Sequence, residues 1–404
     1  MYDIVIVSLP QMDKDKPAPA LGFLKAWLTQ HGYNVKTIDG NQLEDPELIH
    51  LHISKYDTKL IGISVFSYEQ KTIALDIGSN YQNVIYGGSG VDTNWPVKDF
   101  IVGEGEQALL EYMKGNLNYP GINGKPAVQI RDLTILPPPD YSDLNHKNYE
   151  TAIISGSRGC VRNCTFCDVG SIWPKYRFLG GKKIAEYMHI VSEQTGLKRI
   201  GFSDSLVNGS MKHFREMCSE LAKRPKKIKW NGQFIVRTKN SFLEHDFDNL
   251  KNSGCNGLTI GIESGSESVR HHMGKKFSNN DLEWFITNLG ERNIKMKFLL
   301  IAGYPTETKE DFNQTIEMLH KYKHYHSFTE VSPHMMLIDK NTPLDYHHRD
   351  LYDDFGFHWK NNLSDYDERY YRFKKIFEVG AELGYGFKQH ALDKIEKFDV
   401  QYKS

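Results

Sequence analysis

Short apolar runs alternate with stretches of helical periodicity along the front of the chain. The predicted strands cover residues 2–8, 34–39, 59–65, 83–87 and 100–102. A helix is predicted over residues 21–31 and ends at Gly32. Strands that alternate with helices over this length predict an α/β fold with a doubly wound parallel sheet. Ligands of such sheets bind beyond the carboxyl ends of the strands.

The same alternation resumes after residue 149. The predicted strands cover residues 150–155, 198–203, 229–236, 257–263, 295–302 and 327–337. The helices between them are predicted over residues 181–194, 211–223, 242–252, 279–292 and 309–323. These β/α units are too few for a complete eight-stranded barrel, a fold that carries its active site at the carboxyl ends of the strands.

Two segments of different composition divide the chain further. Residues 116–148 are polar and include ILPPPDYSDLNH, whose prolines sustain neither a helix nor a central strand. Residues 339–404 are dense in aromatic residues and histidines. We therefore predict a front domain over residues 1–115, a linker over 116–148, a β/α domain over 149–338 and an α-rich capping region over 339–404.

Composition excludes several classes of protein. The 404 residues are 39% hydrophobic and 25% charged, with a net charge of −1, which argues against a broad basic surface for nucleic acid. No apolar run approaches the roughly 20 residues of a membrane span. The start, MYDIVIVSLPQ, lacks the basic region of a signal peptide. Five cysteines without a disulfide framework fit a reducing cytoplasm, and we expect a cytoplasmic protein.

Three of the cysteines share one short loop. Cys160, Cys164 and Cys167 stand at C-x3-C-x2-C spacing in GSRGCVRNCTFCDVG. Three thiolates at this spacing suit three corners of an iron–sulfur cube, one fewer than the usual four, which leaves one iron open to another ligand. The alternatives are a zinc site completed by a histidine, or unrelated thiols. Cys218 and Cys255 are isolated and are predicted to be core thiols.

The spacing, with Phe166 before the last cysteine, resembles that of the radical S-adenosylmethionine (SAM) enzymes. In this family the open iron binds the amino and carboxylate groups of SAM, and an electron from the cluster splits SAM to a 5′-deoxyadenosyl radical. The resemblance implies a [4Fe–4S] cluster on Cys160, Cys164 and Cys167 within a partial (β/α)6 barrel. It also implies SAM as a cofactor and an electron donor such as flavodoxin or ferredoxin.

By the same resemblance, two predicted strand ends supply contacts to the amino-acid part of SAM. Asp204, in SDS, stands where the family often has G-G-E and would accept from the SAM amino group; the alternative is a helix N-cap. Gln233 and Arg237 end the next strand. Arg237 would clamp the SAM carboxylate, or else form a surface ion pair.

Two further strand ends resemble segments that bind the nucleoside of SAM. Glu263 and Ser264 lie in a G-x-E-S segment, and either would accept from the ribose. Gly303 and Tyr304 lie in GYPTET, which resembles a turn that flanks adenine. Lys275, farther along, is either structural or directed toward substrate. No catalytic acid or base is identified.

The front domain resembles the cobalamin-binding domain that often precedes radical SAM cores. The resemblance covers residues 1–115 and rests on PALGFL at 19–24, GIS at 62–64, YGG at 86–88 and VGEGE at 102–106. The family's best-known cobalt ligand, a histidine in D-x-H-x-x-G, is missing. Any bound cobalamin is therefore expected to lack a histidine beneath the cobalt.

Together the resemblances imply a cobalamin-dependent methyltransferase that acts on an unactivated carbon. One SAM would yield the radical, and a second would methylate cobalamin. The alternative is a cobalamin-independent radical SAM enzyme that catalyses a rearrangement, a cyclisation or carbon–carbon bond formation. A more remote alternative is a non-catalytic zinc protein. The substrate is expected to be a small molecule or a peptide, and the sequence does not name it.

Overall fold

A computed structural model describes residues 1–11, 14–43, 47–225, 227–354 and 356–387. The last part of the predicted capping region, residues 388–404, lies outside this description.

The chain forms two compact units. The first comprises residues 1–156 and 177–203, and the second comprises residues 157–176 and 204–404. Each unit is described separately below, and the division into four segments stays a prediction.

The strands follow the predicted order. They are β1 Ile4–Ser8, β2 Val35–Asp39, β3 Ile61–Ser64, β4 Val84–Gly87, β5 Phe100–Ile101, β6 Ala152–Ile154, β7 Ser157–Arg158, β8 Arg177–Phe178, β9 Arg199–Phe202, β10 Lys229–Phe234, β11 Cys255–Glu263, β12 Met296–Ala302 and β13 Thr329–Met335. Their ends differ from the predicted ones by a few residues, because flanking residues leave the sheet where backbone pairing stops. Cys255, predicted just outside a strand, is the first residue of β11.

The described residues form thirteen α-helices, among them the six predicted ones, whose ends agree with the prediction to within two residues. They are α1 Pro19–Gln30, α2 Glu47–Ile53, α3 Lys71–Ser79, α4 Gly105–Met113, α5 Val169–Ile172, α6 Gly181–Thr195, α7 Met211–Lys223, α8 Glu244–Asn252, α9 Glu267–His272, α10 Asn279–Glu291, α11 Lys309–Lys321, α12 Pro343–His347 and α13 Tyr366–Glu382. Within the described residues, no helix is both long enough and apolar enough to cross a membrane.

The first unit contains a five-stranded parallel sheet in the order β2-β1-β3-β4-β5. All five residues of β1 are buried, as expected for a parallel strand covered on both faces. The strand order changes direction between β1 and β3, and such a switch point is where doubly wound sheets bind ligands. A parallel β6–β9 pair also belongs to this unit.

The second unit contains four parallel strands in the order β10-β11-β12-β13. Burial alternates along β12, whose seven residues run buried and half-buried in turn. Because the strands are parallel, their carboxyl ends share one edge, which carries Glu263 at the end of β11 and Gly303 after β12. Two of the residues predicted to contact SAM, Glu263 and Gly303, therefore lie at the same edge of this unit.

Candidate functional site

The three cysteines of the loop belong to the second unit and are partly buried thiols. The pKa of Cys167 is raised to about 11, chiefly by burial and to a smaller extent by the nearby Cys164, Asp168 and Cys160. Burial likewise raises the pKa of Cys164. The three sulfurs are thus within electrostatic reach of one another, and as thiolates they need a positive partner. Bound iron would supply that partner, because coordination deprotonates a thiol.

The cysteine loop supplies three thiols and no imidazole. Among the residues that the structure describes, no three histidine, cysteine, aspartate or glutamate side chains come together as ligands of one metal ion would. In an iron–sulfur cluster each thiolate would bind a different iron.

The middle of the cysteine loop is fixed by neighbours on several elements. The Thr165 backbone N–H donates to the Met273 carbonyl (3.1 Å), and the Thr165 carbonyl accepts from the Leu344 backbone N–H (2.7 Å). The Thr165 hydroxyl hydrogen-bonds the Tyr304 hydroxyl at 2.8 Å. Tyr304 also donates to the His272 carbonyl at 3.3 Å. The loop is therefore held in one shape by the protein itself.

A buried ion pair lies beside the loop. The Lys275 ammonium is 2.8 Å from Glu263 Oε1 and donates to the Gly261 carbonyl at 3.0 Å. It also lies 5.7 Å from the centre of the Phe166 ring. Burial acts to lower the pKa of Lys275, but Glu263 and Cys164 outweigh that effect and the pKa is raised. The site therefore holds a fixed ammonium next to the cysteines.

The sequence alone leaves two roles open for Lys275, a structural one and one directed toward substrate. It follows Glu263 by twelve positions, and α9 returns the chain so that the two side chains meet. The available signal was the G-x-E-S segment followed by a lysine. The twelve-residue spacing between Glu263 and Lys275 does not by itself predict that their side chains meet.

Asp204 is almost fully buried, with 4% of its surface exposed, at the end of β9. Its Oδ2 accepts from the Ser157 hydroxyl at 2.5 Å. The helix that follows, α7, has Ser210 as its N-cap. Asp204 therefore does not cap α7.

Arg237 is held by backbone rather than by an acid. Its Nη2 donates to the carbonyls of Asn208 and Gly209, each at 2.6 Å. Its buried Nε has no hydrogen-bond partner in the described structure. Burial lowers the pKa of Arg237, and the neighbouring Arg162 lowers it further. Within the described residues no carboxylate forms an ion pair with this guanidinium, which makes it a suitable partner for an anion.

The remaining residues predicted to contact SAM range from exposed to fully buried. Gln233 is exposed on β10. Ser264 is fully buried, and its hydroxyl accepts from the Ser266 backbone N–H at 3.1 Å. Gly303 has a positive φ of 79° and donates its N–H to Glu307 at 2.8 Å. Tyr304 is buried and supports the cysteine loop.

The carboxyl edge of the front sheet consists of closely packed loops. A side chain at Gly88, whose φ is 116°, would meet the Val65 carbonyl at 2.3 Å. The Ser89 hydroxyl donates to the Phe66 carbonyl at 2.6 Å, and Phe66 itself is 61% exposed. These loops offer backbone, hydroxyls and an aromatic ring but no imidazole. They suit a corrinoid only if its cobalt takes no histidine from them.

Comparison with known proteins agrees with this geometry. Residues 154–319 match the family described as the Radical SAM superfamily. An uncharacterised methyltransferase of Pyrococcus horikoshii is 26% identical over 262 residues, which cover 59% of this chain and 56% of the relative. An anaerobic magnesium-protoporphyrin IX monomethyl ester cyclase of Cereibacter sphaeroides is 27% identical over 204 residues, 48% of this chain and 32% of the relative. The chain thus spans about a third to just over half of these two relatives.

Two solved structures share the fold. The cobalamin-dependent SAM radical enzyme OxsB with aqua-cobalamin bound has a TM-score of 0.74, at 17% identity over 95% of this chain and 67% of that one. The radical SAM methyltransferase TsrM from Kitasatospora setae has a TM-score of 0.71, at 17% identity over 85% and 75% of the two chains. The predicted fold class, a doubly wound sheet followed by a partial barrel, is confirmed.

Proposed function

We propose, from the match of residues 154–319 to the Radical SAM superfamily, that the chain is a cobalamin-dependent methyltransferase that acts on an unactivated carbon. The observation that carries the proposal is the cysteine loop, where three neighbouring thiols lie beside the Lys275–Glu263 pair. Cys160, Cys164 and Cys167 would hold a [4Fe–4S] cluster. When bound, this cluster supplies the electron that cleaves SAM, and the corrinoid carries the methyl group.

The residues around the loop suit the amino-acid part of SAM. That part carries one ammonium and one carboxylate, and the site offers the Asp204 carboxylate and the Arg237 guanidinium. We assign Asp204 to the ammonium and Arg237 to the carboxylate, because each opposite pair forms a charge-assisted hydrogen bond. Arg237 is kept in position by two backbone carbonyls, so binding costs it little conformational freedom.

Glu263 is assigned to the ribose hydroxyls of SAM. Its Oε1 is held by Lys275, which fixes the orientation of the carboxylate and offsets the cost of its burial. Lys275 in turn places a positive charge beside Cys164, where thiolate ligands need one. The pair therefore serves the cluster loop and the SAM pocket together.

The corrinoid part of the proposal is supported by the fold of the front unit and its likeness to OxsB and TsrM. One observation favours the second candidate function, a cobalamin-independent radical SAM enzyme: the front loops supply no cobalt-binding histidine. The electron donor, such as flavodoxin or ferredoxin, and the small-molecule or peptide substrate belong to either proposal.

Corrinoid uptake separates the two candidates. Protein produced with cobalamin uptake and purified anaerobically is expected to carry a stoichiometric amount of corrinoid, with an absorption spectrum of the base-off form because no histidine is offered. The measurement is corrinoid content and absorption, with protein produced without cobalamin as the control. Protein that takes up no corrinoid would contradict methyl transfer through cobalamin and favour the cobalamin-independent reaction.

A further inference from the structure

The last described helix, α13, makes a buried contact with the turn that follows β12. Arg372 on α13 and Glu307 after the turn are each only 1% exposed. Arg372 Nη1 donates to Glu307 Oε2 and to the Glu307 backbone carbonyl, both at 2.9 Å. Arg372 Nε donates to Glu368 on its own helix, also at 2.9 Å. Two nitrogens of the guanidinium, Nη1 and Nε, are therefore held by acceptors on Glu307 and Glu368.

The same Glu307 oxygen holds the turn itself. Oε2 accepts from the Gly303 backbone N–H at 2.8 Å. Gly303 also packs directly against α13, since a Cβ there would lie 2.2 Å from Arg369 Cγ. Burial raises the pKa of Glu307 to about 7, and Arg372 opposes that rise. Without the guanidinium, Glu307 would lose the charge that helps it to hold Gly303.

From Gly303 the contacts continue into the cysteine loop. Tyr304, the next residue, hydrogen-bonds Thr165, which lies between Cys164 and Cys167. A second contact comes from the segment between β13 and α13, where the Leu344 N–H donates to the Thr165 carbonyl. The C-terminal segment is thus connected to the cluster loop by two routes.

We propose that Arg372 is a positioning residue for the SAM site, acting through Glu307 on the Gly303–Tyr304 turn. The inference rests on the proposed use of SAM and is independent of cobalamin. Arg372 touches neither SAM nor the cysteines in this scheme. It sets the turn against which the nucleoside of SAM is proposed to lie, and so makes the C-terminal helix part of the site.

The test uses the full chain with its cluster reconstituted anaerobically. Arg372→Gln is expected to retain the cluster but to weaken SAM binding about tenfold or more, since it removes charge-assisted hydrogen bonds that fix the turn. The change in the electron paramagnetic resonance spectrum of the reduced cluster on SAM addition should shrink accordingly. Arg372→Lys, which keeps the charge, should restore part of the affinity.

Lys375→Gln is the matched control. This residue lies one turn farther along α13, is partly exposed and forms an ion pair with Glu378 at 3.5 Å, its one such partner among the described residues, so SAM binding should stay unchanged. A purely structural role would lower the melting temperature and leave the SAM affinity and spectrum as in the wild type, which would overturn the inference. If Arg372→Gln does not fold, the same readouts on Arg372→Lys decide. A wild-type chain that binds no SAM would contradict the proposed function itself, and the inference would fail with it.

Discussion

Alanine at any one of Cys160, Cys164 or Cys167 is expected to abolish retention of the iron–sulfur cluster. A cube held by three thiolates loses a corner with each substitution, and the loop offers no imidazole to replace it. Iron and sulfide content after anaerobic reconstitution is the measurement. The effect should be nearly complete, because the remaining two ligands do not fix the cluster.

The other two cysteines are the natural controls for this prediction. Cys218 is buried in α7 and Cys255 begins β11, so alanine at either position should leave iron and sulfide content unchanged. A Cys164→Ala protein with a full cluster would show that the assignment is wrong. Stoichiometric zinc without sulfide in the wild type would instead favour the zinc alternative.

The second large effect concerns SAM affinity. Asp204→Asn, Arg237→Gln and Glu263→Gln are each expected to weaken SAM binding by about 1–3 kcal/mol, the usual cost of losing a hydrogen bond to a charged group. The cluster should still form in all three variants, because none removes a thiolate. Equilibrium binding of SAM to the reconstituted proteins, with iron content measured in parallel, checks both statements.

Glu267→Gln supplies a matched control for these variants. Glu267 lies four residues beyond Glu263, is exposed and accepts from the Asn279 backbone N–H. Its substitution changes the same functional group at a position away from the cysteine loop, so SAM affinity should stay at the wild-type value. Unchanged affinity in all three test variants would show that the pocket is placed wrongly.

Local sequence was sufficient to place most of the strands. Apolar runs such as IVIVS in β1 are buried on both faces, so their composition alone predicts strands. Local sequence was not sufficient to predict where α8 begins. The Leu243 N–H bonds the Asp246 side chain, so the helix begins at Glu244, two residues later than predicted.

The rest of the site depends on contacts between residues distant in sequence. Ser264 and Glu263 are adjacent, yet one side chain turns into the core and the other meets Lys275. Arg372 reaches Glu307 across 65 positions. Hydrophobic periodicity predicts which face of a helix or strand is buried. It does not predict which distant residue forms an ion pair with a buried charged side chain.

The most direct test of the account is reductive cleavage of SAM by the reconstituted protein. With SAM and dithionite under anaerobic conditions, the wild-type chain is predicted to produce 5′-deoxyadenosine, and the Cys164→Ala chain is predicted to produce none. Chromatography with mass detection measures the product. A wild-type protein that carries its cluster and binds SAM but yields no 5′-deoxyadenosine would contradict the central claim.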